Sequence, residues 1–281
     1  MNILTAFCNI VDKKEAFVED SYMGSNRINN VGEGLEVFIK DVFANIDAHL
    51  SEQEKLLKYQ EVFSFLGNKN NPPDIMIRDG DAIEVKKIQS MSSQIALNSS
   101  YPKQVLKSDS HFVTNECRNA EEWDEKDMLY VIGSLDDSHD IRYLSFVYGD
   151  LYSASEEVYK RVANTIKTNV ELIEDIEFVE TKELGKVHKV DPLGITNLRV
   201  RGMWHIENPI KVYDYLFPDI NMQDIFAFAL MKLEKYNSFS SEDRTSLESL
   251  IDNKFEILDV MVKNPDNPAQ LIESKLLLLL K

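Results

Sequence analysis

Asp74, Glu84 and Lys86 are the side chains whose types and spacing could do chemistry together. The runs Asp74-Ile75-Met76-Ile77-Arg78 and Ala82-Ile83-Glu84-Val85-Lys86 flank the turn Asp79-Gly80, which predicts a β-hairpin. Side chains alternate along a strand, so Glu84 and Lys86 share one face while Val85 and Lys87 take the other. The hairpin brings Asp74 to the same end, and two carboxylates and an amine converge. That grouping suits metal-assisted phosphodiester hydrolysis. Mg²⁺ prefers oxygen ligands and keeps several waters, so one or two carboxylates are enough to hold it. The bound ion acidifies a water and offsets charge on the phosphorus centre. A lysine beside the attacking water can orient it, stabilise hydroxide, or accept its proton if its own pKa is lowered. The competing reading is a solvated Glu-x-Lys ion pair on an exposed strand. Asp79 and Asp81 flank Gly80 and read as turn formers.

The elements that must hold this hairpin follow from periodicity. Leu35, Phe38, Ile39, Val42, Phe43 and Ile46 recur at three- and four-residue steps after Asn30, an amphipathic helix within a helical segment 1–60. Ser51 and Glu54 form a capping-box pattern for a short helix to about Tyr59. A sheet core is expected over 61–152, with Val62 to Leu66, the hairpin, Met128 to Leu135 and Ile141 to Tyr152 as strands. Residues 153–174 read as a helix, and Phe178 to Val190 and Leu198 to Ile206 as strands. Residues 219–281 read as two or three helices, the run Leu276 to Leu280 among them. The expected fold class is α/β (α+β): a central mixed β-sheet flanked by helices, in one domain spanning 1–281.

More of the chain resembles a known family. Pro73-Asp74 followed by Glu84-Val85-Lys86 matches the PD-(D/E)xK nuclease pattern. Asn26-Arg27-Ile28-Asn29-Asn30 leading to Gly34-Leu35-Glu36, together with Asn70-Asn71-Pro72-Pro73-Asp74 and Gly80 to Lys87, is similar to the NgoPII type of type II restriction endonuclease. So are Ala96 to Lys103 and Leu198 to Trp204, and the resemblance spans roughly residues 25–215. It implies a restriction-endonuclease-like core and a Mg²⁺-dependent enzyme cutting double-stranded DNA as a homodimer at the palindrome GGCC. It further implies Asp74 and Glu84 as metal ligands, Glu36 as a further ligand or a support for one, and a cognate DNA methyltransferase that protects the host.

Two stretches are expected to meet the DNA, about 90–118 and 184–215. No acid lies between Glu84 and Asp109, where Asn98, Ser99, Ser100, Lys103 and Lys107 fall. Small hydroxyl and amide side chains followed by lysine suit phosphates and base edges, although a helix end broken by Pro102 explains them equally well. Arg199 and Arg201 alternate on one expected strand and so share a face. Bidentate arginine is the commonest reader of guanine, and phosphate positioning is the rival use.

Composition narrows the remaining classes. The net charge is −17, from 31 basic and 48 acidic residues, which argues against a simple nucleic-acid coat protein. The charge is uneven, however: residues 119–183 carry −11 of it, apart from the basic islands at 86–107 and 186–211. An acidic shell with basic elements at a cleft is then expected. The five histidines have no ligand spacing, and neither a GxxxxGK[ST] loop nor GxGxxG occurs, so zinc, ATP and dinucleotide chemistry are not indicated. The two cysteines form no CxxC and read as free thiols; with no apolar run of about 18 residues and no signal-like start, a cytoplasmic protein without membrane attachment is expected. A structure-selective repair nuclease with the same core, or a non-catalytic DNA-binding protein, remain the alternatives.

Overall fold

The computed structural model of the protein describes all residues except 21–30, 48, 69–70, 92, 136–140 and 182–183. The expected helix start at Asn30 and the polar loop Asp136 to Asp140 lie outside the described residues. Apolar residues at helical spacing build α1 (Ile3–Asp20) and α2 (Val31–Phe43). These bury Ile3, Phe7 and Ile10, and Leu35, Phe38, Ile39, Val42 and Phe43. α3 (Glu52–Val62) starts with the expected capping box, Ser51 Oγ accepting from Glu54 N and Glu54 Oε2 from Ser51 N.

The chain then turns to β-structure. β1 (Phe63–Asn68), β2 (Asn71–Ile77) and β3 (Ala82–Ile88) run antiparallel in sequence. β4 (Ile95–Asn98), β5 (Val105–Lys107) and α4 (Asn115–Arg118) precede the long pair β6 (Glu125–Leu135) and β7 (Ile141–Tyr148). α5 (Gly149–Tyr152), α6 (Glu156–Glu171), β8 (Glu177–Val179), β9 (Gly185–His188), β10 (Leu198–Val200), β11 (Trp204–Ile206) and α7 (Pro209–Val212) follow. β12 (Ile225–Lys232), α8 (Leu233–Ser238), α9 (Ser241–Glu248), β13 (Phe255–Lys263) and β14 (Leu271–Leu280) complete the described chain.

One mixed sheet carries the fold, in the order β1-β2-β3-β6-β7-β12-β14-β13, with β5 pairing β6 off that path. The β3–β6 and β7–β12 pairs are parallel and the rest antiparallel. Helices and loops cover both faces. Ile75, Ile83, Val85, Leu129 and Val131 face a core shared with α1 and α2. Met76, Ala82, Tyr130 and Ile132 face a second core under β4, the chain around Leu106 and Val113, and α7. The expected mixed sheet flanked by helices is therefore what forms.

The expected helical segment 219–281 is corrected. It is mainly sheet, and the two helices inside it are short. Leu276 to Leu279 are buried in β14, between β12 and β13. A strand covered on both faces is apolar throughout, and its periodicity does not distinguish it from a buried helix. Among the described residues no helix is long and apolar enough to cross a membrane.

Candidate active site

Period-two alternation and a tight turn assemble the site as the spacing requires. β2 and β3 pair with Ile75 opposite Ile83 and Met76 opposite Ala82. Asp79 takes the positive φ of 53° in the turn, and Ile77 N donates to Asp81 O at 2.9 Å. Lys126, buried beneath the turn, donates to Ile77 O and Gly80 O and pairs with Glu121. With the hairpin so held, Lys86 Nζ stands 2.6 Å from Glu84 Oε1 and 3.6 Å from Asp74 Oδ2. Val85 N donates to Asp74 Oδ2 at 2.7 Å, which fixes that carboxylate against the strand. Asp74, Glu84 and Lys86 are therefore together, and all three are mostly buried.

The electrostatics follow from crowding two carboxylates into a partly desolvated corner. Burial and the Glu84 charge push the Asp74 carboxyl up to about 7, against the pull of Lys86 and the Val85 amide; Glu36 on α2 adds to the repulsion. Burial works to lower Lys86, yet Glu84 and Asp74 outweigh it and hold the ammonium above the usual lysine range. A lysine so held stays cationic and does not serve as a base in this state. Glu36 itself pairs with Lys40 at 3.9 Å. Glu84 Oε2 is buried without a hydrogen-bond partner. An orphaned carboxylate oxygen beside a proton-avid aspartate is a donor set that a hard cation with retained waters fits. Among the described residues, no group of three or more His, Cys, Asp or Glu is gathered to hold a metal.

Other expected residues fare unevenly. Asp81 is more than a turn former: it is buried, accepts from Tyr148 OH at 2.6 Å and pairs with Lys235 at 2.7 Å. Lys103 lies on the face of the sheet that bears Glu84. Its backbone N donates to the OH of Tyr130, the residue opposite Glu84 on β6, at 2.7 Å. Its ammonium sits over the rings of Tyr101 and Phe112 at 4.9 and 4.8 Å. Burial pushes it down to about 8, while Glu84 and Glu156 pull the other way. Gly149 makes this packing possible, since a Cβ there would stand 2.1 Å from Lys103 O. Ser99 and Ser100 are half-buried nearby, Lys107 is exposed on β5, and Asn98 is described through its backbone at the end of β4.

Arg199 and Arg201 are both exposed, but the strand expected to carry them is corrected. The ladder of β10 stops at Val200, and the chain resumes as β11 at Trp204, pairing with β4 in a different sheet. Alternation along one strand therefore does not relate the two arginines. The strand expected over Phe178 to Val190 is likewise two, β8 and β9, paired antiparallel. The supposed separation of acidic and basic stretches is corrected as well. α6, from the acid-rich stretch, lines cavities with Ser99, Tyr101, Lys103, His111 and Trp204 of both basic stretches. The helix expected over 153–174 forms as α6, but sequence reasoning missed it as a wall of these cavities. Its usable signal was the row Lys160, Asn164, Lys167 opposite Val158, Val162, Ile166.

A mixed sheet flanked by helices, with Asp74, Glu84 and Lys86 gathered on one of its hairpins, defines the restriction-endonuclease-like class. The profile of the NgoPII restriction endonuclease family matches residues 1–263. The type II restriction enzyme NgoPII of Neisseria gonorrhoeae is 45% identical over 278 residues, which make up 99% of this chain and 99% of that protein. No solved structure matches the chain. The chain belongs to the NgoPII restriction endonuclease family. Its similarity extends well past the 25–215 expected from motifs, taking in the C-terminal strands that the motifs did not reach.

Proposed function

We infer that the protein is a type II restriction endonuclease making site-specific double-strand cuts in DNA, within one endonuclease domain spanning 1–281. The meeting of Asp74, Glu84 and Lys86 in a chain of this family is the observation that carries the reading. Type II restriction enzymes generally need a divalent metal, and the ion proposed here is Mg²⁺, held by Asp74 and Glu84 with Glu36 in support. When bound it acidifies a water and offsets charge on the phosphate. With the ion in place, Lys86, kept cationic by its two neighbours, would orient the attacking water; its bond to phosphorus would form as the bond to the leaving oxygen breaks, with the water's proton lost to solvent and the leaving oxygen protonated from it. Val85 N–H keeps Asp74 from rotating away. Asn98, Ser99, Ser100, Lys103, Lys107, Arg199 and Arg201 are the proposed DNA contacts. The family resemblance supports GGCC as the site, and a palindrome read by a two-fold homodimer places one active site on each strand. A paired DNA methyltransferase and a cytoplasmic location complete the proposal.

Incubation of the purified protein with plasmid DNA, with and without Mg²⁺, tests it. The expected result is discrete fragments ending at GGCC sites with the ion and intact plasmid without it. Preferential cutting of branched DNA would point to a repair nuclease, and uncut plasmid in Mg²⁺ would refute catalysis altogether.

A further inference from the structure

The amphipathic helix α6 is mounted the unusual way round. It has no buried residue, and Val158, Val162 and Ile166 are 37, 42 and 41% exposed. At 100° per residue, Lys160, Ala163, Asn164 and Lys167 fall on the opposite side. That polar side lines a cavity of about 210 Å³ whose other walls include Ser99, His111, Gly202 and Trp204. Among the described residues no carboxylate lines this cavity. A core-packed helix would bury its valines and isoleucine; here they stay exposed, and Ala163, the half-buried Lys167 and the more exposed Lys160 and Asn164 form the cavity wall instead.

The cavity joins the catalytic side of the sheet. Tyr101, His111 and Lys160 are shared with a neighbouring cavity of about 440 Å³, also lined by Lys103 and Lys107. Acids enter there, with Asp109, Glu156 and Glu157 on its wall. Aromatic contacts hold α6 in place: Tyr159 stacks on Tyr101 at 5.5 Å and meets Trp204 edge-on at 5.6 Å. Lys160 pairs with Glu156 at 2.9 Å and Lys167 with Glu180 at 3.1 Å, both at the solvent boundary where a phosphate can compete. Among the described residues the Asn164 side-chain amide has no partner.

Resting on the endonuclease reading, we propose that α6 is a third DNA-recognition element, its polar face presented to duplex DNA. Asn164 hydrogen-bonds a base edge, and Lys160 and Lys167 hold flanking phosphates. The groove is then continuous from the Ser99 and Trp204 segments through α6 to Lys103 beside Glu84. A protein or peptide occupant would leave the unpaired amide and the ammonium groups without a repeating anionic partner, which a DNA backbone supplies.

Fluorescence anisotropy in Ca²⁺, with one duplex carrying GGCC and one with that site scrambled, tests the inference across a salt series. Asn164→Ala is expected to cut discrimination between the duplexes about tenfold. Lys160→Ala and Lys167→Ala are each expected to weaken both duplexes equally and to lower the slope of log K against log salt by about 1. Arg161→Ala, on another side of the same helix, should leave both readouts unchanged. Because none of the four side chains is buried and the ring contacts of Tyr159 are left in place, all four variants should keep the parental melting temperature. Parental discrimination in Asn164→Ala, or a slope change in Arg161→Ala matching that of Lys160→Ala, would overturn the inference. A parent protein that does not distinguish the duplexes overturns the endonuclease reading and this inference together; a discriminating parent with indifferent variants overturns the inference alone.

Discussion

The raised pKa of Asp74 is the most informative property of any single residue in the site. Burial and the Glu84 charge raise the folded-state pKa to about 7, well above the usual aspartate value of 3.8. A group that binds its proton more tightly when folded stabilises the fold below its unfolded pKa, and that contribution is lost as pH rises through the folded value. In the metal-free protein, thermal stability should therefore decline between pH 4 and 7 from this group, and Asp74→Asn should flatten that slope. Calorimetry across the window checks it; an unchanged slope in the variant would refute the assignment. A cation at Asp74 must displace the same proton, so cutting should weaken below pH 7. Lys86→Ala removes the cation between two carboxylates, and we expect cleavage to fall roughly a hundredfold or more while specific binding in Ca²⁺ persists. Retained cutting would sink the role given to Lys86. Alternation and a tight turn made this trio legible from spacing alone. Asp81 was not legible, because its partner Lys235 lies 154 positions away and turn chemistry explained the residue sufficiently.

At the scale of elements, local signals were read well and shared ones poorly. The Ser51–Glu54 box and the Asp79-Gly80 turn act within a few residues, and both form as expected. β10 and β11 divide one apolar-polar alternation between two sheets, and only the position of β4 decides where. α6 was legible as a helix but not as a wall of the groove, since an amphipathic pattern shows two faces without saying which one turns inward. The approach of α5 to the Lys103 segment provides a test at this scale. A methyl group at Gly149 would meet Lys103 O at 2.1 Å and the Gln104 Cα at 2.9 Å, both on backbone that cannot swing aside. Gly149→Ala should cost about 1–3 kcal/mol in urea denaturation and move Lys103 away from Glu84. Parental stability would mean that this packing is looser than described.

Over the whole molecule, the sheet is continuous from β1 to β13, so distant strands share one unfolding transition. Leu277 is fully buried in β14, far from the hairpin. Leu277→Ala should lower stability by about 2–5 kcal/mol without changing the salt dependence of DNA binding. Denaturation followed by fluorescence and by cleavage activity should then give coincident midpoints, and separated midpoints would count against a single unit. The net charge of −17, which first spoke against nucleic acid, is compatible with a groove whose inner cavity has no acid on its wall among the described residues.

Asp74, Glu84 and Lys86 belong to one hairpin, whereas the groove is gathered from Ser99 to Phe112, from α6 and from Gly202 to Trp204. The two have different fates under mutation. Drift in the scattered segments can change which DNA is gripped and leave the scission chemistry intact. A lesion in the hairpin does the reverse, leaving a silent protein that still occupies its sites. If the proposed methyltransferase is paired with it, such a protein would stand between that enzyme and the sequence it must mark, and a dead nuclease would not be a harmless one.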